Sequence, residues 1–280
     1  MTAVLIFCLI LCGCKEYGEK RIVKFVTIDE EKISVIYYDF SSEEPSYIEE
    51  EKENKGINST LVSIFSENYY NLKLCRFVIV SENILKNSFK ELYFALTDNR
   101  FAMDTVILKG DTSLEASDYN FIKNDNYPLY NYSYKDEQLK GVVEVIVGNE
   151  KILVKSNGEY IELTSNQSKV FDILSGVISE CVYVTENQTE NISAELKNIS
   201  VFYTTKEDVL NIHINAVLKT YKGRPSDEIN RKYVKNMVEQ EIHNMAENML
   251  ADESITDYFM VGGVKNNDSS KLVNVEVKVI

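Results

Sequence analysis

The chain of 280 residues has no tryptophan, only two histidines, and none of the short motifs that mark common catalytic or metal sites. His213 and His243 lie in separate segments, and the residues around each indicate a surface or boundary position. HExxH, GxSxG, Walker A and GxGxxG are all absent. We therefore predict no catalytic residue, no cofactor-binding residue and no metal ligand, and we expect a protein that is not an enzyme.

Cysteine is scarce beyond the N-terminus. Three of the five cysteines lie within the first fourteen residues, which leaves Cys75 and Cys181 in the folded part of the chain. Each of these two lies within an apolar stretch, and cysteines in such surroundings are more often buried core residues than disulfide partners. We expect both thiols to be free.

Positive charge is in deficit. Lys and Arg number 30 against 44 Asp and Glu, so the formal net charge is -14. Nucleic-acid binding needs clustered Lys and Arg, and an electrostatic hold on anionic lipid needs the same. The composition therefore excludes nucleic acid as a partner and indicates proteins or small molecules instead.

Long apolar runs are confined to the N-terminus, where the run ends in Leu-Cys-Gly-Cys at residues 11–14 and charge begins at Lys15. This pattern is typical of a bacterial lipobox, in which a thiol receives the lipid and small residues precede it. We predict a lipoprotein signal peptide at 1–13 and lipidation at Cys14. No Lys or Arg precedes the run, which favours a start codon upstream of Met1.

The rest of the chain divides into two halves around a polar, Tyr- and Asn-rich passage at 119–128. We predict an N-terminal α/β domain at 14–125 and a C-terminal α+β domain at 126–280. The first half shows strands and helical faces in the order ββαβαβ. Its acidic run at 43–53 predicts a solvated loop rather than a metal site, because a flexible stretch of like charge holds no convergent ligands.

The second half begins with three short strands, the last two joined by a Ser-Asn-Gly turn at 156–158. Ser165 is the expected cap of a short helix, and two long strands follow at 192–203 and 209–221. A long helix is expected after a cap at Ser226, and the apolar stripe of this helix is predicted to comprise Ile229, Tyr233, Met237, Met245 and Met249. The fold class is α+β: mixed, mostly antiparallel sheets with packed helices, in at least two domains.

Several short sequence segments that follow the lipobox resemble, in content and order, those of the Ger(x)C lipoproteins, which are the C subunits of spore germinant receptors. The corresponding segments are residues 24–35, 77–83, 97–100, 106–110, 145–152 and 170–176. The paired strands and the long helix near the end, a seventh feature, agree with the family in order and length. The family usually places Trp and Asp just after the lipidated cysteine, whereas this chain has Lys15, Glu16 and Tyr17 there. The resemblance is therefore to a diverged member.

The resemblance implies a non-enzymatic subunit that is attached through Cys14 to the extracytoplasmic face of the inner spore membrane. Such a subunit assembles with a polytopic A subunit and a transporter-like B subunit into a nutrient receptor and acts in germination. The alternative is a solute-binding or other cell-envelope lipoprotein of vegetative cells. The closely spaced hairpins argue against a solute-binding protein, whose two lobes are usually built from repeated βα units.

Overall fold

The computed structural model describes residues 21–39, 46–67, 70–110, 127–135, 137–146, 150–185, 192–206, 209–222, 230–252, 254–255, 258 and 272–280. Fourteen strands and five α-helices lie within these ranges, and the predicted α+β class is confirmed. Cys14, the signal peptide and most of the passage at 119–128 lie outside them. The domain boundary at 125–126 therefore stays a prediction.

The strands are β1 Arg21–Ile28, β2 Lys32–Asp39, β3 Ser46–Glu53, β4 Tyr70–Asn71, β5 Phe77–Val80, β6 Val106–Lys109, β7 Ser133–Lys135, β8 Gln138–Val145, β9 Lys151–Lys155, β10 Tyr160–Leu163, β11 Glu180–Val184, β12 Ser193–Lys206, β13 Val209–Lys222 and β14 Leu272–Val279. The helices are α1 Ile57–Glu67, α2 Glu82–Asn87, α3 Phe89–Asp98, α4 Ser165–Leu174 and α5 Arg231–Ala251.

The chain forms two compact units. The first comprises Met1–Leu139, Val143–Val147 and Val154–Tyr160, and the second comprises Lys140–Val142, Gly148–Leu153 and Ile161–Ile280. The strands belong to a ten-stranded sheet of main order β10-β9-β8-β6-β5-β1-β2-β3 and a four-stranded sheet of order β11-β12-β13-β14.

Parallel strands form the middle of the larger sheet. β1, β5, β6 and β8 run parallel, and β2 and β3 continue from β1 as antiparallel neighbours. The central strands are nearly continuous runs of Val, Ile and Leu, as expected where both faces are covered. A cluster of buried residues, which we call the Phe25 cluster, comprises Phe25, Ile36, Ile79, Val106 and Leu108.

One sequence expectation is wrong in this unit. The second part of the acidic run is strand β3, paired along its whole length with β2, and not a solvated loop. Its carboxylates contact cations of β1 and β2: Arg21 donates to Glu50 at 3.1 Å, and Lys32 donates to Glu51 at 2.6 Å. Cross-strand charge pairs of this kind make an edge strand possible despite the low strand propensity of Glu.

The smaller sheet follows the predicted alternation closely. β12 and β13 form a long antiparallel hairpin, and β14 adds to β13 in parallel. Along β13 the buried residues are Leu210, Ile212, Ile214, Ala216 and Leu218, while the residues between them are partly exposed. Helix α5 packs on β14 and α4 packs on α5, so one face of this sheet is covered.

The helix ends and the stripe of α5 differ from the predictions. Thr164, not Ser165, caps α4 through a capping box with Gln167, and Asn230 caps α5, which begins at Arg231. Ser226 and Ile229 lie outside the described residues. The buried stripe of α5 comprises Val234, Val238, Ile242, Ala246 and Met249. Tyr233 is exposed because the branched residues one position further along form the packed face.

Candidate functional site

The predicted lipidation residue Cys14 lies outside the described residues, so this assignment stays a prediction. In the part of the chain that the structure describes, no helix is long and apolar enough to cross a membrane. The same residues include no group of three or more His, Cys, Asp or Glu side chains that could bind a metal ion.

The two histidines lie on different elements and each contacts one carboxylate. His213 Nδ1 on β13 lies 2.9 Å from Glu276 Oε2 on β14, and His243 Nε2 lies 3.4 Å from Glu247 Oε2 along α5. Both imidazoles are partly exposed, as the sequence indicated. The Glu276 contact could not be read from the sequence, because the two residues are 63 positions apart and meet only through the parallel register.

The two cysteines beyond the N-terminus are free, as predicted. Cys75 is buried in the first unit, and Cys181 is half-buried on β11 in the second. Burial raises the pKa of the Cys75 thiol to about 12 and that of Cys181 to about 11. Neither thiol has the thiolate character that a nucleophile or a redox sensor needs.

A polar and aromatic cluster surrounds the first residue of β1. The Arg21 guanidinium donates to Glu50 at 3.1 Å and to the Tyr70 hydroxyl at 3.2 Å, and the Tyr70 hydroxyl itself donates to Glu50. The guanidinium carbon also lies 4.7 Å from the centre of the Tyr37 ring. We call these four residues, Arg21, Tyr37, Glu50 and Tyr70, the Arg21 cluster.

The Arg21 cluster joins four strands at one point. Arg21 begins β1, Tyr37 lies on β2, Glu50 on β3 and Tyr70 on β4. Desolvation, together with the hydrogen bond to Glu50, raises the pKa of Tyr70 well above its ordinary value, so its hydroxyl remains a donor. The cluster therefore fixes the start of β1 in the sheet. Sequence reasoning missed it because its members are far apart in the chain.

Ionic side chains also gather where the parallel strands β5 and β6 end. Lys109 Nζ lies 2.8 Å from Glu82 Oε2, Lys86 contacts the same carboxylate, and the hydroxyl of Tyr160 accepts from Lys109 at 3.3 Å. The hydrogen bonds from Lys109 and Lys86 lower the pKa of Glu82 to about 2.

Ligand crevices in open α/β sheets form where the strand order reverses. Here the order reverses between the parallel neighbours β1 and β5, because β1 is followed by β2 and β3 on one side and β5 is followed by β6 and β8 on the other. Glu82 follows β5, so its carboxylate lies at the carboxyl end of one of the two strands that flank this reversal, where Lys109 and Lys86 bind it.

A second polar region lies beside the C-terminal half of α5. A cavity of about 620 Å³ has a lining that includes Gln167, Glu241, Asn244 and Met245. The sequence expectation that the methionines of this helix fill the core is confirmed for Met249, which is 2% exposed. Met245 is half-buried and faces the cavity.

Comparisons with known proteins find similarity in structure but not in sequence. No protein-family model matches the chain, and no curated protein matches it. The crystal structure of the GerBC protein is similar over 91% of this chain and 96% of its own, with 13% identity and a TM-score of 0.48.

Two structures of Ppx/GppA enzymes from Aquifex aeolicus are similar at lower scores. The type II variant of the phosphatase has a TM-score of 0.24 and 8% identity, over 83% of this chain and 62% of its own. The second has a TM-score of 0.23 and 12% identity, over 57% and 63%. All three TM-scores lie below 0.5, so these similarities establish neither a family nor an activity for this chain.

Proposed function

We propose that this protein is a non-enzymatic lipoprotein subunit of a nutrient germinant receptor, attached by Cys14 to the extracytoplasmic face of the inner spore membrane. The observation on which the proposal depends is the lipobox at 11–14, followed by a chain that resembles the Ger(x)C lipoproteins in seven ordered features. The free thiols and the dispersed histidines are compatible with a role without catalysis.

The proposed role is assembly with A- and B-type membrane subunits. A diacylated or triacylated N-terminus binds a bilayer stably, because each buried methylene contributes about 0.8 kcal/mol. Arg21 lies seven residues after Cys14, so the tether spans at most about 24 Å before it reaches the sheet. The Arg21 cluster then connects the tether directly to four strands, which keeps the first unit close to the membrane and to subunits embedded there.

The first test replaces Cys14 with Ala. We expect the Cys14→Ala protein to leave the membrane fraction and to incorporate no alkyne-labelled palmitate, and we expect germination to weaken. Cys12→Ala is the matched control, because it removes a thiol from the same segment and leaves the lipid acceptor in place. Full membrane retention and labelling of the Cys14→Ala protein would refute the anchor.

The second test identifies the partners. A tagged chain is purified from detergent-solubilised spore membranes, and the proteins that accompany it are identified by mass spectrometry. We expect polytopic A- and B-type receptor subunits. Expression confined to vegetative cells, or recovery with a permease and its ATPase, would replace the receptor role with the alternative of a solute-binding lipoprotein.

A further inference from the structure

A cavity of about 650 Å³ opens in the first unit beside the Arg21 cluster. Its apolar wall includes Ile22, Phe65 and Leu72, and its polar wall includes Asn71, Lys73 and Arg100. The volume is within the range of sites for small molecules, and the mixture of an apolar wall with a few polar groups is typical of them. We call it the Lys73–Arg100 cavity.

The charge of this cavity is opposite to that of the chain. The formal net charge of the protein is -14, yet two cations and no carboxylate line the cavity. Both side chains are exposed, and among the described residues neither Lys73 nor Arg100 forms an ion pair. Two unpaired cations beside an apolar wall favour an anion with an apolar part.

The backbone at Arg100 positions one of the two cations of the cavity. Arg100 follows the end of α3 with φ of 63°, a left-handed conformation that glycine favours. The turn is fixed by the hydrogen bonds from Arg100 N–H to Thr97 at 3.3 Å and from Phe101 N–H to Leu96 at 3.2 Å. These are the hydrogen bonds of a Schellman-type helix end, which fixes the backbone from which the Arg100 side chain extends.

We propose that the Lys73–Arg100 cavity binds a small organic anion. A carboxylate or phosphate group contacts the ammonium of Lys73 and the guanidinium of Arg100, whose planar fork suits two oxygens of one group. The apolar part of the ligand packs against Phe65 and Leu72. Ile22 lies eight residues after Cys14, so on the proposed anchor the cavity lies within about 27 Å of the membrane. Both a soluble anion and an anionic lipid headgroup are within reach.

The test measures binding of phenyl phosphate to the full chain in a non-ionic detergent by isothermal titration calorimetry. We expect saturable binding, no binding of the neutral analogue phenol, and a rise of Kd by tenfold or more in Lys73→Gln and in Arg100→Gln. Lys232→Gln is the matched control, because this exposed lysine lies in the second unit, and its Kd should equal that of the wild type.

Arg100→Gly separates binding from folding. Glycine relieves the left-handed strain, so this variant should melt no lower than the wild type and still lose affinity for phenyl phosphate. Absence of saturable binding to the wild type, or equal Kd values in the wild type, Lys73→Gln and Arg100→Gln, would overturn the proposal. These readouts do not depend on germination, so they succeed or fail independently of the proposed receptor role.

A competition experiment identifies the source of the anion. Monomeric short-chain phosphatidylglycerol is added to the complex with phenyl phosphate, and short-chain phosphatidylcholine serves as the control. Displacement by phosphatidylglycerol alone supports the site and assigns the ligand to a lipid headgroup. Binding of phenyl phosphate without displacement supports the site and assigns it to a soluble anion.

Discussion

At the scale of single residues, the ionisation of Glu82 makes the stability of the folded state depend on pH. Its pKa falls from an ordinary value of 4.5 to about 2 because Lys109 and Lys86 donate to its carboxylate. A lowered pKa in the folded state contributes stability that is fully present above the unfolded value and is lost as the pH falls through the folded value. Glu82 is 41% exposed, so solvent screening reduces this contribution.

We predict that Glu82→Gln makes the melting temperature depend less on pH in the acid range. Between about pH 4.5 and pH 2 the melting temperature of the wild type should fall more steeply than that of the variant. Thermal unfolding followed by circular dichroism across this range checks it. Glu162→Gln, a change at an exposed carboxylate, is the control. Parallel profiles for the wild type and Glu82→Gln would contradict the assignment.

Gly110 is a second residue whose identity is set by its surroundings. A Cβ atom at this position would lie 2.4 Å from Ile146 Cδ1 and 3.1 Å from Ile79 Cγ2. Both isoleucines belong to the packed region around the Phe25 cluster. The restriction is therefore steric: the strand end can approach these side chains only because residue 110 has no side chain.

We expect Gly110→Ala to lower the free energy of unfolding by about 1–3 kcal/mol, because extra volume in a packed core forces side chains to move. Ile146→Val removes the Cδ1 atom that would lie nearest to the new Cβ. This change should therefore lower the free energy of unfolding less in the Gly110→Ala background than in the wild type. Urea unfolding of the two single variants and the double variant measures this coupling. Additive costs would show that the position is not packed as described.

At the scale of elements, a buried ion pair joins strand β9 to helix α4. Lys151 Nζ lies 2.8 Å from Asp172 Oδ2, and the two side chains are only 5% and 8% exposed. The N–H of Lys151 donates to Ser168 Oγ at 3.0 Å, so strand and helix are connected through backbone and side chain together. Replacing one partner of such a pair leaves a buried charge without its partner.

Lys151→Met should destabilise the protein by about 3–5 kcal/mol. The double variant Lys151→Met/Asp172→Leu should recover most of this loss, since an apolar pair of similar volume needs no charge compensation. Denaturant unfolding of the wild type, both single variants and the double variant checks the cycle. If the double variant is less stable than either single variant, the pair is not the source of the effect.

The elements also show how far the sequence determines the fold. The alternation along β13 predicted its buried face correctly, because that face contacts one continuous core. Strand β3 was missed, because its pairing with β2 is a tertiary contact that its Glu-rich composition does not indicate. On α5, Met249 was placed correctly, but Tyr233, Met237 and Met245 each lie one residue before a buried position. Methionines and branched residues form two adjacent stripes there, and only packing decides between them.

The candidate site was less predictable than the fold for the same reason. The lipobox is a local pattern, so it could be recognised in fourteen residues. The Arg21 cluster and the Lys73–Arg100 cavity combine residues from several elements and exist only after the sheet has formed. The left-handed turn at Arg100 had no sequence signal, because glycine, the usual marker of such a turn, is absent there.

At the scale of the whole molecule, the net charge of -14 opposes folding, because it brings like charges together in a compact state. Salt screens this repulsion: the Debye length falls from about 30 Å at 0.01 M to about 8 Å at 0.15 M. Salt also weakens surface ion pairs, but each exposed pair contributes only about 0–1 kcal/mol, so the relief of repulsion should dominate.

We therefore expect the melting temperature at pH 7.5 to rise by about 2–4 °C between 0.01 M and 0.15 M NaCl, which corresponds to about 1 kcal/mol in a domain-sized protein. The control is the same measurement at pH 4.8, the sequence isoelectric point, where no net repulsion remains and the gain should vanish. Chloride is chosen over sulfate because sulfate strengthens apolar burial by itself. A melting temperature that falls with NaCl at pH 7.5 would mean that ion pairs such as Arg21–Glu50 and Lys32–Glu51 outweigh the repulsion among the excess carboxylates.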